Sequence, residues 1–207
     1  NLSEPEAVSR MFDFISLSPN AGRVILAHKL IYLMYQAYEE AGKRPNVCIF
    51  LYGKTGTNKT TFSAFLTQMY DRNRGIVSPR RLNASIAAAV EIISEASDDT
   101  VVLDDLFPAE SNSIRRQQEE TFLEVTRYIA DGTIPARMRG NKLLNGSPKC
   151  GVVFTGEYIV GSGSDAARVL PVEMTRPDSE KLKYFQNHPL IISTFYYFFI
   201  RWLVENY

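Results

Sequence analysis

The residues with the clearest chemical potential form a short turn rich in glycine, threonine and lysine, Gly53-Lys-Thr-Gly-Thr-Asn-Lys-Thr60. An apolar run at 47–52 precedes the turn, and an amphipathic helix is predicted after it, over residues 59–71. Backbone N–H groups in such a turn and at a helix N-terminus point towards an anion, and the helix dipole adds to the attraction. The sequence therefore predicts a phosphate-binding loop that holds a nucleotide. The expected nucleotide contacts are Gly53, Lys54, Thr55, Gly56, Thr57, Asn58, Lys59, Thr60 and Thr61.

Three positions in this loop have distinct expected roles. Lys59 would reach the β and γ phosphates of ATP, and the Thr60 hydroxyl would hold Mg²⁺. Asn58 stands where the common pattern GxxxxGK[ST] has a glycine. That position often needs a positive φ, which asparagine tolerates better than most residues with a side chain. The alternative is a turn between a strand and a helix that binds nothing.

An acidic pair follows the next strongly apolar strand. The predicted strand 100–103 ends at Asp104 and Asp105. Ligands of parallel sheets bind at the carboxyl ends of the strands, so both carboxylates are expected near the phosphate loop. Asp104 would approach the Mg²⁺, and Asp105 would orient or deprotonate the attacking water, as a catalytic residue. The alternative is a solvated turn at the end of a strand.

A third apolar strand also ends in polar groups, in the segment GVVFTGE at 151–157. Thr155 is placed to hydrogen-bond the attacking water or the γ-phosphate, and Glu157 is close enough in sequence to assist. The alternative is that these polar groups only cap the strand.

A single arginine, Arg168, lies between a loop rich in glycine and serine and the predicted last strand, 169–174. This position suits a cation presented at a subunit edge, where it would stabilise the charge on the transferring phosphoryl group. The alternative is a structural arginine paired with Asp165 or Glu173.

The elements that must position these groups alternate between apolar strands and amphipathic helices. This pattern predicts an α/β fold with a mainly parallel sheet of five strands. The predicted strands are 47–52, 75–77, 100–103, 150–154 and 169–174. Besides the helix over 59–71, the sequence predicts a helix over 20–41, a helix capped by Asn83 that runs to 96, and a helix capped by Ser113 that runs to 130. Pro171 argues that the last strand lies at an edge of the sheet.

Composition sets limits on the class of protein. Of the 207 residues, 45% are hydrophobic, and 23 Lys and Arg balance 23 Asp and Glu. The zero net charge removes any global electrostatic argument for binding nucleic acid or a membrane, while a local basic patch stays open. Cys48 and Cys150 form neither a disulfide framework nor a metal motif, and we expect buried, reduced thiols and a cytoplasmic location. We also expect no signal peptide in the first residues.

The C-terminal stretch 190–204 is strongly apolar and aromatic. It is shorter than the roughly 20 residues that a membrane-spanning helix needs, and Arg201 interrupts it, so we expect a buried or interface helix and no membrane association. Because the chain begins at Asn1 rather than at a methionine, we also expect additional domains in a longer parent chain.

Together these motifs resemble the AAA+ ATPases and the closely related superfamily 3-like helicases of the P-loop class. The loop GKTGTNKT, the strand VVLDD, the strand ending at Thr155 and the place of Arg168 before the last strand match parts of that class. The segments IADGTIPARM, GVVFTGE and SDAARVLPVEM are similar to an uncharacterised ATPase family of phages, plasmids and other mobile elements. The resemblance covers residues 20–175. The chain departs from AAA+ proteins in having no clear C-terminal lid.

The resemblance implies a three-layer P-loop fold with flanking terminal helices and an oligomeric, hexameric ring with ATP and Mg²⁺ bound between subunits. Residues 1–45 would form an N-terminal helical segment packed on the core, 46–176 the ATPase core, and 177–207 a C-terminal helical segment. The family also implies a hairpin in the connector 134–149 that points into the central channel. Its cations would contact DNA phosphates without reading bases. These DNA-binding candidates are Arg137, Arg139 and Lys142.

The leading hypothesis is therefore an ATP-hydrolysing motor domain of a DNA helicase or translocase from a mobile-element replication protein. Two other classes stay open. One is a regulatory or scaffold ATPase without a nucleic-acid role, and the other is a P-loop kinase acting on a small molecule. A GTPase is disfavoured because no [NT]KxD guanine signature follows the loop.

Overall fold

The computed structural model describes residues 2–67, 69, 80–81, 85–106, 111–139, 142–158 and 166–207, and the side chains of these residues except 80, 81, 105, 135–139, 142–145 and 166. Within these ranges the helices are α1 Glu4–Ile15, α2 Pro19–Leu33, α3 Tyr35–Glu40, α4 Lys59–Thr67, α5 Ile86–Glu95, α6 Asn112–Asp131, α7 Ser179–Asn187 and α8 Leu190–Asn206. The strands are β1 Cys48–Tyr52, β2 Arg80–Arg81, β3 Ser97–Leu106, β4 Ile134–Arg139, β5 Lys142–Gly146, β6 Lys149–Gly156 and β7 Val169–Glu173.

All described strand pairs of the main sheet are parallel. Its four longer strands lie in the order β3-β6-β1-β7, and the two-residue strand β2 pairs with β3 on the outside. The predicted α/β class with a parallel sheet is confirmed. The strand predicted at 75–77 lies outside the described residues. As Pro171 indicated, β7 stands at one end of this order.

The sheet separates two apolar cores because successive strand side chains point to opposite faces. On one face, Ile49 and Leu51 of β1 pack with helices α1, α2, α4, α7 and α8. On the other face, Cys48 and Phe50 pack with α5 and α6. Both cysteines are free and buried, and burial raises the pKa of the Cys48 thiol well above its ordinary range and that of Cys150 to about 12. The chain thus forms three layers, helices on both sides of one sheet.

Helix boundaries depart from the sequence-based prediction in three places. The helix predicted over 20–41 is two helices, because Met34 leaves the helical region (φ −108°, ψ 23°) and its N–H bonds to Ile31 O, in the tighter 3-10 manner. Helix α5 is capped by Ser85, whose hydroxyl accepts from the Ala88 N–H, and not by Asn83, which lies outside the described residues. Helix α6 begins at Asn112 with Ser111 as its N-cap residue, two positions before the predicted cap.

The C-terminal helix α8 is only partly covered. Ile191, Ile192 and Tyr196 are buried, whereas the side chains of Trp202 and Val204 are exposed. The helix packs against α1. Among the described helices, none combines the length and apolar character that a bilayer crossing requires.

Candidate active site

The predicted phosphate loop leaves the carboxyl end of β1 and leads directly into α4, which begins at Lys59. Gly56 (φ 78°) and Asn58 (φ 59°) both adopt the left-handed conformation. The positive φ expected at Asn58 is therefore observed, and the short amide side chain explains why a residue other than glycine is tolerated there. At Gly53 an added Cβ would lie 2.8 Å from Met174 O, so only glycine lets the loop start this close to the residue after β7.

The Lys59 ammonium lies across the inside of the loop. It donates to Gly53 O at 2.8 Å and to Lys54 O at 3.1 Å, and it lies 3.4 Å from Thr57 Oγ1. Burial lowers the pKa of Lys59, and the neighbouring carboxylates of Glu157 and Asp104 oppose this effect. The Lys59 ammonium is therefore held inside the loop by backbone carbonyl oxygens, and its positive charge attracts an anion such as a phosphate group to this place.

A second cluster joins three elements around the Asp104 carboxylate. The same oxygen, Oδ1, accepts hydrogen bonds from the hydroxyls of Thr60 on α4 and Thr155 on β6. The two hydroxyl oxygens lie 3.4 Å apart. The pairing of Leu103 with Phe154 brings Asp104 beside Thr155, because β3 and β6 are neighbours in the sheet. Three oxygen side chains thus meet at the carboxyl end of the strands, as the sequence predicts for this edge.

The donors of this cluster suit a hard cation. Mg²⁺ prefers oxygen ligands, and it is commonly held by one or two protein groups together with substrate phosphates. Thr60 and Asp104 fit this pattern. Among the described residues no group of three or more His, Cys, Asp and Glu side chains forms a metal site by itself. The arrangement therefore matches a cation that arrives with a phosphate ligand rather than one held by protein groups alone.

These groups line one cleft of about 280 Å³ that opens to solvent. Its lining comprises Thr55, Gly56, Asn58, Lys59, Thr60, Thr61, Asp104, Leu106, Thr155, Gly156 and Glu157. Across the cleft, the Thr55 hydroxyl donates to the Glu157 carboxylate and links the loop to the end of β6. Sequence analysis assigned only an assisting role to Glu157, although its position directly after a strand that enters the site was the available signal. Asp105 belongs to β3, and its side chain lies outside the described residues.

Arg168 lies at the amino ends of the strands, at the opposite end of the sheet from the phosphate loop. Val169, the next residue, pairs with Cys48 at the start of β1, whereas the phosphate loop follows Tyr52 at the end of that strand. The four residue steps from Cys48 to Tyr52 separate the two ends of β1 by about 13 Å. The guanidinium lies 3.6 Å from Asp131 Oδ1 at the end of α6. Arg168 therefore forms an ion pair with Asp131, a partner that the sequence analysis did not consider. Among the described residues it forms no ion pair with Glu173, and Asp165 lies outside them.

The connector between α6 and β6 is a β-hairpin, as expected. Strands β4 and β5 pair antiparallel, and Arg139 pairs with Lys142 beside residues 140–141, which lie outside the described residues. Arg137 pairs with Leu144 further down. The backbone thus places Arg139 and Lys142 at the end of the hairpin furthest from α6 and β6.

No protein-family model matches the chain, and the comparison with curated proteins found no match. Among solved structures, the chain is similar to "SCCmec type IV Cch - active helicase", with a TM-score of 0.50 and 12% identity over 82% of this chain and 30% of that one. It is also similar to the C-terminal region of NrS-1 in its A form, with a TM-score of 0.49 and 16% identity over 93% of this chain and 45% of that one. The chain thus spans less than half the length of either structure. At 12% identity the likeness to the first of these structures concerns the fold alone, and it agrees with the α/β fold with a parallel sheet described above.

Proposed function

We propose that this chain is the ATP-hydrolysing motor domain of a DNA helicase or translocase that works as an oligomeric, hexameric ring in a mobile-element replication protein. The observation that carries the proposal is the meeting of Lys59, Thr60, Asp104 and Thr155 in one open cleft at the carboxyl end of the sheet. The fold likeness to a structure described as an active helicase is in keeping with it. Membership of the AAA+ or superfamily 3-like class rests on the motif resemblance.

In this proposal each residue of the cleft has a defined task. The loop N–H groups and Lys59 bind the β and γ phosphates, and Thr60 and Asp104 hold Mg²⁺, which neutralises phosphate charge when it is bound. Thr155 donates its hydroxyl proton to Asp104, so its oxygen would accept a hydrogen bond from the attacking water; a bond to the γ-phosphate would require that proton to turn away from Asp104. Asp105 stays the sequence-based candidate for orienting the attacking water.

Arg168 would act on the ATP of a neighbouring subunit. The geometry supports the ring proposal. Arg168 lies at the end of the strands opposite its own phosphate loop, so it is not placed to contact a nucleotide bound by that loop. Its ion pair with Asp131 is partly exposed, at 30% and 55% of the two side chains, and the guanidinium would exchange this pair for the phosphate of the neighbouring subunit. An arginine supplied in this way stabilises the charge of the transition state.

The hairpin supports the DNA part of the proposal. Its Arg139–Lys142 pair adjoins the turn, and cations from several subunits that converge in one channel would bind phosphates strongly even though the whole chain is neutral. Contacts of this kind hold the backbone without reading the sequence.

The test is nucleotide binding and DNA-stimulated ATP hydrolysis by Lys59→Ala, compared with Lys183→Ala as a matched control on the exposed side of α7. We expect Lys59→Ala to lose hydrolysis and to bind a fluorescent ATP analogue at least about tenfold more weakly, because a charge-assisted contact to phosphate is removed. Lys183→Ala should behave like the wild type. Near-normal turnover by Lys59→Ala would refute the assignment of the loop.

The same assays separate the alternatives. ATP turnover that DNA does not stimulate would favour a regulatory or scaffold ATPase. Transfer of the γ-phosphate to a small acceptor would identify a kinase.

A further inference from the structure

The cleft contains a carboxylate, Glu157, whose backbone is fixed while its side chain is open to water. The Glu157 N–H donates to Leu106 O at 2.9 Å, which ties the end of β6 to the end of β3. This close approach depends on Gly156, where an added Cβ would lie 2.7 Å from Leu106 O. The next residue, Tyr158, is anchored on α6 by a 3.2 Å hydrogen bond from its hydroxyl to Glu119. Two neighbouring elements therefore hold the backbone on either side of this carboxylate.

The two carboxylates described in the cleft have different surroundings. Asp104 accepts two hydroxyl hydrogen bonds and belongs to the cluster that suits Mg²⁺. Glu157 is exposed, and its carboxylate accepts a hydrogen bond from the Thr55 hydroxyl, which lies on an exposed part of the loop. Glu157 and Lys59 line the same cleft, and the Glu157 carboxylate opposes the burial-driven lowering of the Lys59 pKa more than Asp104 does.

We propose that Glu157 is a catalytic residue that orients the water for attack on the γ-phosphate and accepts its proton. In this step the water oxygen bonds to the γ-phosphorus while the bond from that phosphorus to the β–γ bridging oxygen breaks. The bonding electron pair stays on ADP, and the water proton passes to the Glu157 carboxylate and from there to solvent. The inference rests on the proposed ATPase function and assigns to Glu157 the task that the sequence suggested for Asp105.

The experiment measures ATP affinity and the pH profile of kcat for Glu157→Gln, Asp105→Asn and a control, Glu205→Gln. Glutamine can still accept the Thr55 hydrogen bond through its amide oxygen, so the loop contact survives while the proton acceptor is lost. We expect Glu157→Gln to bind ATP within about threefold of the wild type and to lose about 10²–10⁴-fold in kcat, the usual range for a general base. Its kcat should also change less on acidification than the kcat of the wild type does. Glu205→Gln removes an equal charge on α8 and should leave kcat unchanged.

Three results decide the outcome. If Glu157→Gln keeps kcat within about threefold of the wild type, the carboxylate is only a tether for Thr55 and the proposal is wrong. If Asp105→Asn alone binds ATP normally and fails to hydrolyse it, that residue has the role and the proposal is likewise overturned. Failure of the ATPase function itself would look different, because the wild type would then show no turnover or Lys59→Ala would retain it.

Discussion

His28 offers a quantitative test of the packing between α2 and the sheet. Its ring is 5% exposed and lies against Tyr32, and an added Cβ on Gly151 would come within 2.4 Å of its Cε1, so the glycine makes room for it. One ring nitrogen, Nε2, lies 3.1 Å from Val47 O, while Nδ1 has no hydrogen-bond partner among the described residues. Burial lowers the pKa of His28 to about 4, and the Lys29 charge adds to this effect, while the bond to Val47 O opposes it.

The sign of the pH effect follows from the two protonation states. In the unfolded chain the pKa of histidine is about 6.5. Below that pH the unfolded state binds a proton that the folded state does not yet bind. The stability is therefore fully present above about pH 6.5 and is lost as the pH falls towards 4. The difference between the two pKa values corresponds to about 3 kcal/mol in all, of which about 2.5 kcal/mol would be lost by about pH 4.5.

The assay is chemical denaturation at about pH 7 and about pH 4.5 of the wild type, His28→Gln and His188→Gln, which together cover both histidines of the chain. His188 is exposed and serves as the matched control. Carboxylate titration affects all three proteins alike, so we expect His28→Gln to lose about 2 to 3 kcal/mol less on acidification than the other two. An equal decrease in the free energy of unfolding on acidification in all three proteins would refute the account of a buried neutral imidazole.

Two further predictions concern the ring and the hairpin. Arg168→Ala should lower hydrolysis by about 10³-fold or more. Mixing it with Lys59→Ala subunits should restore part of the activity, because some interfaces then combine an intact loop with an intact arginine. No recovery in mixed oligomers would argue against action between subunits. Arg139→Ala combined with Lys142→Ala should weaken DNA binding with little sequence dependence and flatten its salt dependence, measured by titration at several salt concentrations; normal DNA binding with loss of basal hydrolysis would instead assign the hairpin to the ATP site.

Local patterns in the sequence were enough for the elements and for part of the site. The apolar run before the glycine-rich turn predicted β1, the loop and the start of α4, because each depends on neighbours within a few residues. The positive φ at Asn58 follows from the same kind of short-range rule, whereas the hairpin of β4 and β5 was expected from the family resemblance. Helix ends were less predictable, since Ser85 and Asn83 are equally acceptable as caps and only the packed position of α5 selects one of them.

The tertiary structure decided which polar groups meet. No local pattern brings Thr155 to Asp104, because their contact depends on β3 and β6 being neighbours in the sheet although the α6 helix and the hairpin separate them in the chain. The contact of Thr55 with Glu157 likewise depends on residues about a hundred positions apart meeting at one sheet edge. Arg168 was recognisable as a candidate, yet its place at the opposite edge follows from the parallel register of β7. Strand order and register are set by packing over the whole sheet, and short stretches of sequence carry little information about either.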